Sequence, residues 1–129
     1  KYKTIPQKTH RAIAGLSMGG FHSMTISANY PDLFDYVGLF SAGFPSTEDT
    51  IPAYANMEQK VKTQIHKGLK LYWVGCGIDD QFKIHDKARD FTSQIKGYGA
   101  NAIFHSSPKG HVWSNWRQYL LLFIPQLFQ

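Results

Sequence analysis

Apolar residues fall in short blocks with two alternating kinds of spacing. Ala12-Ile13-Ala14, Tyr36-Val37-Gly38-Leu39-Phe40, Leu71-Tyr72-Trp73-Val74 and Ala102-Ile103-Phe104 are continuous runs, as expected of strands covered on both faces. Between them, apolar positions recur every three or four residues. Ile84, Ala88, Phe91 and Ile95 share one side of a helix predicted over 82–96. Residues 1–8 are polar and read as the tail of a preceding element. A buried strand follows over 11–15, then a helix over 19–29 with Phe21, Met24, Thr25 and Ala28 on one side. Asn29-Tyr30-Pro31 stops that helix, because proline lacks the amide hydrogen a helix needs. A second strand over 36–41 leads to a loop over 42–53 with Gly43, Pro45 and Pro52, and a helix running to about His66. The third strand covers 69–75, the fourth 102–106, and the last helix lies within 114–128. Strands alternating with helices predict a three-layer α/β arrangement around a parallel sheet of about four strands. No repeat, low-complexity tract or linker divides the 129 residues, which suit one domain.

Composition narrows the picture. A chain with 43% hydrophobic and 15% aromatic residues is folded rather than disordered. The net charge of +5 does not gather into a stripe. Lys60, Lys62, Lys67, Lys70, Lys83, Lys87 and Lys96 are scattered over amphipathic segments, which argues for a solvated surface and against nucleic-acid binding. The longest apolar run, Tyr119 to Pro125, is far shorter than the ~20 residues of a membrane span. Cys76 is the single cysteine, so no internal disulfide is possible. Its place in an apolar run predicts a buried thiol rather than a nucleophile. No His, Asp, Glu or Cys set has metal-ligand spacing, and no cofactor is implied. No signal peptide is visible, but the chain does not begin with Met, so this absence carries no weight.

The chemistry centres on Gly15-Leu16-Ser17-Met18-Gly19, a G-x-S-x-G pentapeptide between a predicted strand and a predicted helix. A serine on that sharp turn is lifted out of the sheet, and the two glycines are expected where the doubled-back backbone leaves no room for Cβ. A serine hydroxyl needs a base in contact and an acid to orient that base. In α/β-hydrolases the chain order is serine, acid, histidine. Here Ser17 is followed by Asp79 or Asp80 after the third strand and His111 after the fourth. Loop geometry favours Asp80, while one or both aspartates could instead cap the helix near Phe82. His10, His22, His66, His85 and His105 lack the strand-end placement of His111. Ligands of parallel sheets bind at the carboxyl ends of strands, and Ser17, Ser41, residues 77–80 and His111 all follow strand ends. The Met18 N–H is the expected oxyanion donor. Phe82, Trp113 and Trp116 are candidates to line a pocket for a flat acyl group, with packing as the competing role; Phe44 is a weaker candidate.

Arg11-Ala12-Ile13-Ala14-Gly15-Leu16-Ser17-Met18-Gly19-Gly20 resembles the nucleophile turn of the esterase-D-like α/β-hydrolases. Tyr30 through Gly43 continues the likeness, Cys76-Gly77-Ile78-Asp79-Asp80 resembles the acid loop, and Gly110-His111 through Trp116 resembles the histidine loop. The feruloyl and acetylxylan esterase branch is the most similar. The resemblance implies a serine carboxylesterase acting on feruloyl or acetyl esters of xylan-type polysaccharides. Ser17, Asp80 and His111 would be catalytic, with Trp116 near the acyl pocket. It implies a secreted or periplasmic location. The alternatives are an S-formylglutathione or siderophore-ester hydrolase, an acyltransferase using the same residues, and an inactive esterase fragment. Members of that family are about twice as long, so residues 1–129 are expected to be the C-terminal half of one hydrolase domain. On this reading the first strands and a second oxyanion donor are missing, which would make the chain slow. It would also leave an apolar edge strand to be covered by a second copy, a missing segment or a rearrangement.

Overall fold

The four apolar runs form four parallel strands in the order β1-β2-β3-β4: β1 (Ala12–Leu16), β2 (Tyr36–Phe40), β3 (Leu71–Gly77) and β4 (Ala102–Ser107). The computed structural model describes residues 2–44 and 51–129. Pro45, part of the predicted loop, lies outside the described residues. Among the described residues four helices alternate with the strands: α1 (Met18–Asn29), α2 (Met57–Lys67), α3 (Ile84–Gly97) and α4 (Trp113–Phe123). A short 3-10 turn at Lys8–His10, not anticipated from the pattern, precedes β1.

Apolar spacing decides which face each helix turns inward. Met57, Val61 and Ile65 on α2, and Ala88, Phe91 and Ile95 on α3, are buried at helical intervals. With Met24 and Ala28 of α1 they pack on Val37, Leu39, Tyr72, Val74 and Cys76 of the central strands. Successive right-handed crossovers along a sheet of this order place α1, α2 and α3 on one face. The other face is covered by α4, whose Trp116, Tyr119 and Phe123 lie on Tyr36, Phe40, Leu71 and Trp73. α1 also buries Ser23 and Ser27, which is affordable because their hydroxyls bond back to the Gly19 and Met24 carbonyls at 2.8 and 3.1 Å.

Every residue of β2 and β3 is buried, as their continuous runs predict. β1 departs from the expected buried strand. It pairs with β2 on one side only among the described residues, and its five residues are half-buried or exposed. A short apolar run reads alike at a sheet centre and at its edge. Among the described residues no helix is long and apolar enough to cross a membrane. Since all strands run parallel, Ser17, Ser41, the turn after Gly77 and the turn after Ser107 arrive at one end of the sheet.

Candidate active site

β1 ends at Leu16, and the chain reverses on Ser17 at φ 53° and ψ −122° before α1 begins. Such a backbone costs a non-glycine residue about 1–3 kcal/mol. It is held by the Ser17 N–H, which donates to the Phe40 carbonyl at 2.8 Å. A Cβ on Gly15 would run into the Gly19 carbonyl and come within 2.8 Å of the Gly20 nitrogen. The expectation for Gly19 is corrected: nothing lies within 4 Å of where its Cβ would be. The crowding falls on Gly20 instead, 2.8 Å from Ala42 Cβ and 3.0 Å from the Gly15 oxygen. Helix α1 thus presses on the sheet at its second glycine.

After Gly77 the chain turns and buries Asp80, while Asp79 stays exposed. The two roles weighed for this pair both fall on Asp80. Its Oδ1 accepts from the Phe82 N–H at 2.9 Å, and its Oδ2 accepts from His111 Nδ1 at 2.8 Å. The backbone of Asp79 is also used, its N–H donating to the Lys109 carbonyl at 2.9 Å. The acid turn and the histidine turn interlock closely there. A Cβ on Gly77 would meet the Lys109 carbonyl and lie 2.8 Å from Asn115 Nδ2.

His111 follows a turn in which Lys109 takes φ 64°. Asn115 Nδ2 donates to the Pro108 and Gly110 carbonyls, each at 2.9 Å, and the His111 N–H donates to Gln81 Oε1 at 2.8 Å. Gln81 and Asn115 escaped the sequence reading. Their only signals are position, one residue after Asp80 and four after His111. His111 Nε2 lies 2.7 Å from Ser17 Oγ. A carboxylate can only accept, so Nδ1 carries the proton and Nε2 offers its lone pair to the serine hydroxyl. An imidazole so placed can take the proton of Ser17 as its oxygen attacks a carbonyl carbon. Met18 opens α1, and its N–H belongs to the first turn, where a helix leaves donors without intrahelical acceptors.

Two rings bracket the imidazole. Phe82 meets it at 4.8 Å between centroids and Trp116 at 5.0 Å, both edge-on. Phe82 and Trp113 are each 65% exposed, whereas Trp116 is buried and its Nε1 donates to Ser41 Oγ at 3.0 Å. Trp116 therefore backs the histidine, and Phe82, Trp113 and Met18 form the open apolar rim. His22 is exposed on α1. Phe44 is half-buried against Phe91, on the α3 side of the sheet rather than at the imidazole. A second serine–imidazole pair lies elsewhere: Ser106 Oγ is 2.8 Å from His85 Nε2, with Asp86 3.4 Å from Nδ1. Among the described residues no group of three or more His, Cys, Asp or Glu side chains could hold a metal ion.

The family model described as "Putative esterase" matches residues 1–125. A protein of Xylanibacter ruminicola named endo-1,4-beta-xylanase/feruloyl esterase is 29% identical over 128 residues, 99% of this chain and 16% of that protein. A solved ferulic acid esterase superposes with a TM-score of 0.76 at 26% identity, over 99% of this chain and 56% of the other. An S-formylglutathione hydrolase of Staphylococcus aureus shares the fold, with a TM-score of 0.77 at 18% identity over 99% and 55% of the two chains. The chain thus spans little more than half of these solved relatives and a sixth of the bifunctional one.

Proposed function

The chain belongs to the esterase family, and on that premise we propose that it carries the nucleophile, base and acid of a serine carboxylesterase. The observation that carries this reading is the unbroken row Ser17 Oγ–His111 Nε2 and His111 Nδ1–Asp80 Oδ2, at 2.7 and 2.8 Å. Ser17 Oγ bonds to the ester carbonyl carbon as His111 Nε2 takes its proton. Asp80 keeps the imidazole in the correct tautomer and faces the positive charge that forms. The carbonyl oxygen, now an anion, is met by the Met18 N–H. The carbon–oxygen bond to the alcohol then breaks, and Nε2 returns the proton to the departing oxygen. Water, deprotonated in the same way, releases the acid from Ser17.

The proposed substrates are feruloyl or acetyl esters on xylan-type polysaccharides, met outside the cytoplasm. The names of two relatives support the acyl group, and the exposed rings of Phe82 and Trp113 beside the histidine suit a flat one. The thioester alternative has the shared fold behind it and no further observation.

Intact-mass spectrometry with a fluorophosphonate probe tests the mechanism. One adduct is expected, mapped to Ser17 and absent in Ser17→Ala. An adduct on Ser106, whose hydroxyl also faces an imidazole, or none at all, would overturn the assignment. Relative turnover of methyl ferulate, acetylated xylan and a glutathione thioester tests the substrate class, and a dominant thioester rate rejects it.

A further inference from the structure

The hydrogen-bonded ladder between β3 and β4 does not stop where the strands do. Past their last paired residues, Gly77 and Ser107, the Ile78 N–H donates to the Ser107 carbonyl at 2.8 Å. The Asp79 N–H donates to the Lys109 carbonyl at 2.9 Å. The next two rungs are made by side chains. Asp80 Oδ2 accepts from His111 Nδ1 at 2.8 Å, and Gln81 Oε1 accepts from the His111 N–H, also at 2.8 Å. A peptide N–H can only donate, so the oxygen of the Gln81 amide faces His111 rather than its nitrogen. The consecutive residues 78–81 thus all reach across to the chain that carries the histidine. The last two take hold of the same residue, one by its ring and one by its backbone.

The histidine turn is shaped to admit the Gln81 amide. A Cβ on Gly110 would lie 2.5 Å from Gln81 Oε1 and 2.6 Å from the Asp79 carbonyl oxygen, so the missing side chain is what leaves room there. Asn115 Nδ2 ties down the Pro108 and Gly110 carbonyls just before the histidine. The Gln81 amide then meets the backbone of His111 itself. Gln81 is exposed and, with Asp79, Asp80, Lys83 and His85, lines an open cleft of about 710 Å³. In so exposed a place water satisfies a backbone N–H about as well as a side chain does. The amide therefore adds direction rather than a bond that folding requires. Fixing both the ring and the backbone restricts rotation of the imidazole about its side-chain bonds. Nε2 needs that restriction, because it must stay at 2.7 Å from Ser17 Oγ for the proton to pass.

We propose that Gln81 is a positioning residue for the base: with Asp80 it forms a two-point grip on His111, ring and backbone, that keeps Nε2 directed at Ser17. Gln81 acts through His111 and takes no part in making or breaking bonds. The proposal rests on the esterase reading only for its kinetic consequence; the grip is a feature of the folded chain.

The test compares wild type with Gln81→Ala, which removes the acceptor, and Gln81→Glu, which keeps one. Thermal unfolding confirms that each is folded, and Gln81→Leu stands in should Gln81→Ala not fold. Two readouts are taken: hydrogen exchange of the His111 backbone N–H, and kcat and KM on methyl ferulate at the plateau of each pH profile. Gln81→Ala is expected to speed exchange about tenfold and to lower kcat about threefold to tenfold, the scale of one hydrogen bond, with KM within about twofold. Gln81→Glu should restore most of both. Unchanged exchange or unchanged kcat in Gln81→Ala overturns the grip and leaves the esterase reading intact. A raised KM with kcat kept makes Gln81 a substrate contact and overturns it likewise. If wild type turns over no ester, the esterase reading fails by itself, and the grip is read from the low-field proton NMR signal of His111 Nδ1–H. A signal displaced in Gln81→Ala and restored in Gln81→Glu upholds the grip; an absent or unmoved signal overturns it.

Discussion

At the residue scale, Asp80 divides its two oxygens between a backbone turn and an imidazole. Oδ1 anchors the turn into α3 through the Phe82 N–H, and Oδ2 faces His111. Asp80→Asn separates the two uses. The amide oxygen can still accept from Phe82, but an NH₂ group now faces Nδ1. The imidazole must then carry its hydrogen on Nε2, where it cannot take the proton of Ser17. Turnover is expected to fall by roughly 10³–10⁴-fold, with the melting temperature nearly unchanged. A fall of less than tenfold in steady-state rate would remove Asp80 from the row. Much of this site was legible beforehand. Ser17, Asp80 and His111 each follow a strand-forming run, and a parallel sheet brings such positions to one end. Gln81, Asn115 and the buried setting of Trp116 were not legible. Their partners are backbone carbonyls, a backbone N–H and a serine hydroxyl on other turns, and no spacing within the chain encodes those meetings.

At the element scale, the site depends on α4 more than its length suggests. α1, α2 and α3 share one face of the sheet, and α4 covers the other. α4 begins two residues after His111 and carries Trp116 on its first turn. Phe123, near its far end, packs edge-on against Phe40, and its ring sits where a Cβ on Gly38 would be crowded at 3.1 Å. Phe123→Ala is expected to destabilise the fold by about 3–5 kcal/mol, read from urea unfolding. A loss under about 1 kcal/mol would mean that this end of α4 is not what seats the helix. The strands and α3 were legible because their apolar periods differ sharply. The face each helix covers was not, since both faces of a central strand are equally apolar.

At the scale of the whole molecule, buried neutral groups set the response to alkali. Burial, then the Asp80 charge, push the Cys76 thiol from 9.0 to about 12. Burial also raises the hydroxyls of Tyr72 and Tyr119 above 10.0. In the unfolded chain these groups ionise at their ordinary values, so ionisation favours unfolding once the pH passes them. The stability the thiol supplies is complete below about pH 9 and is lost as the pH rises toward about 12. Melting temperature should therefore decline above pH 9. Between pH 9 and 10 the decline should be shallower in Cys76→Ala than in wild type, and parallel curves would show that the thiol is not held neutral.

The sequence by itself determined the order of strands and helices and the reversal at Gly15–Ser17. It also determined the placement of an acid and a histidine after later strands, because local periodicity and backbone sterics act within a few residues. Tertiary structure alone decided that Gly20 rather than Gly19 is crowded, that one aspartate meets both the turn and the histidine, and that Trp116 lies behind the imidazole. These depend on which distant surfaces meet, and the energy of such meetings is written in no single segment of the chain.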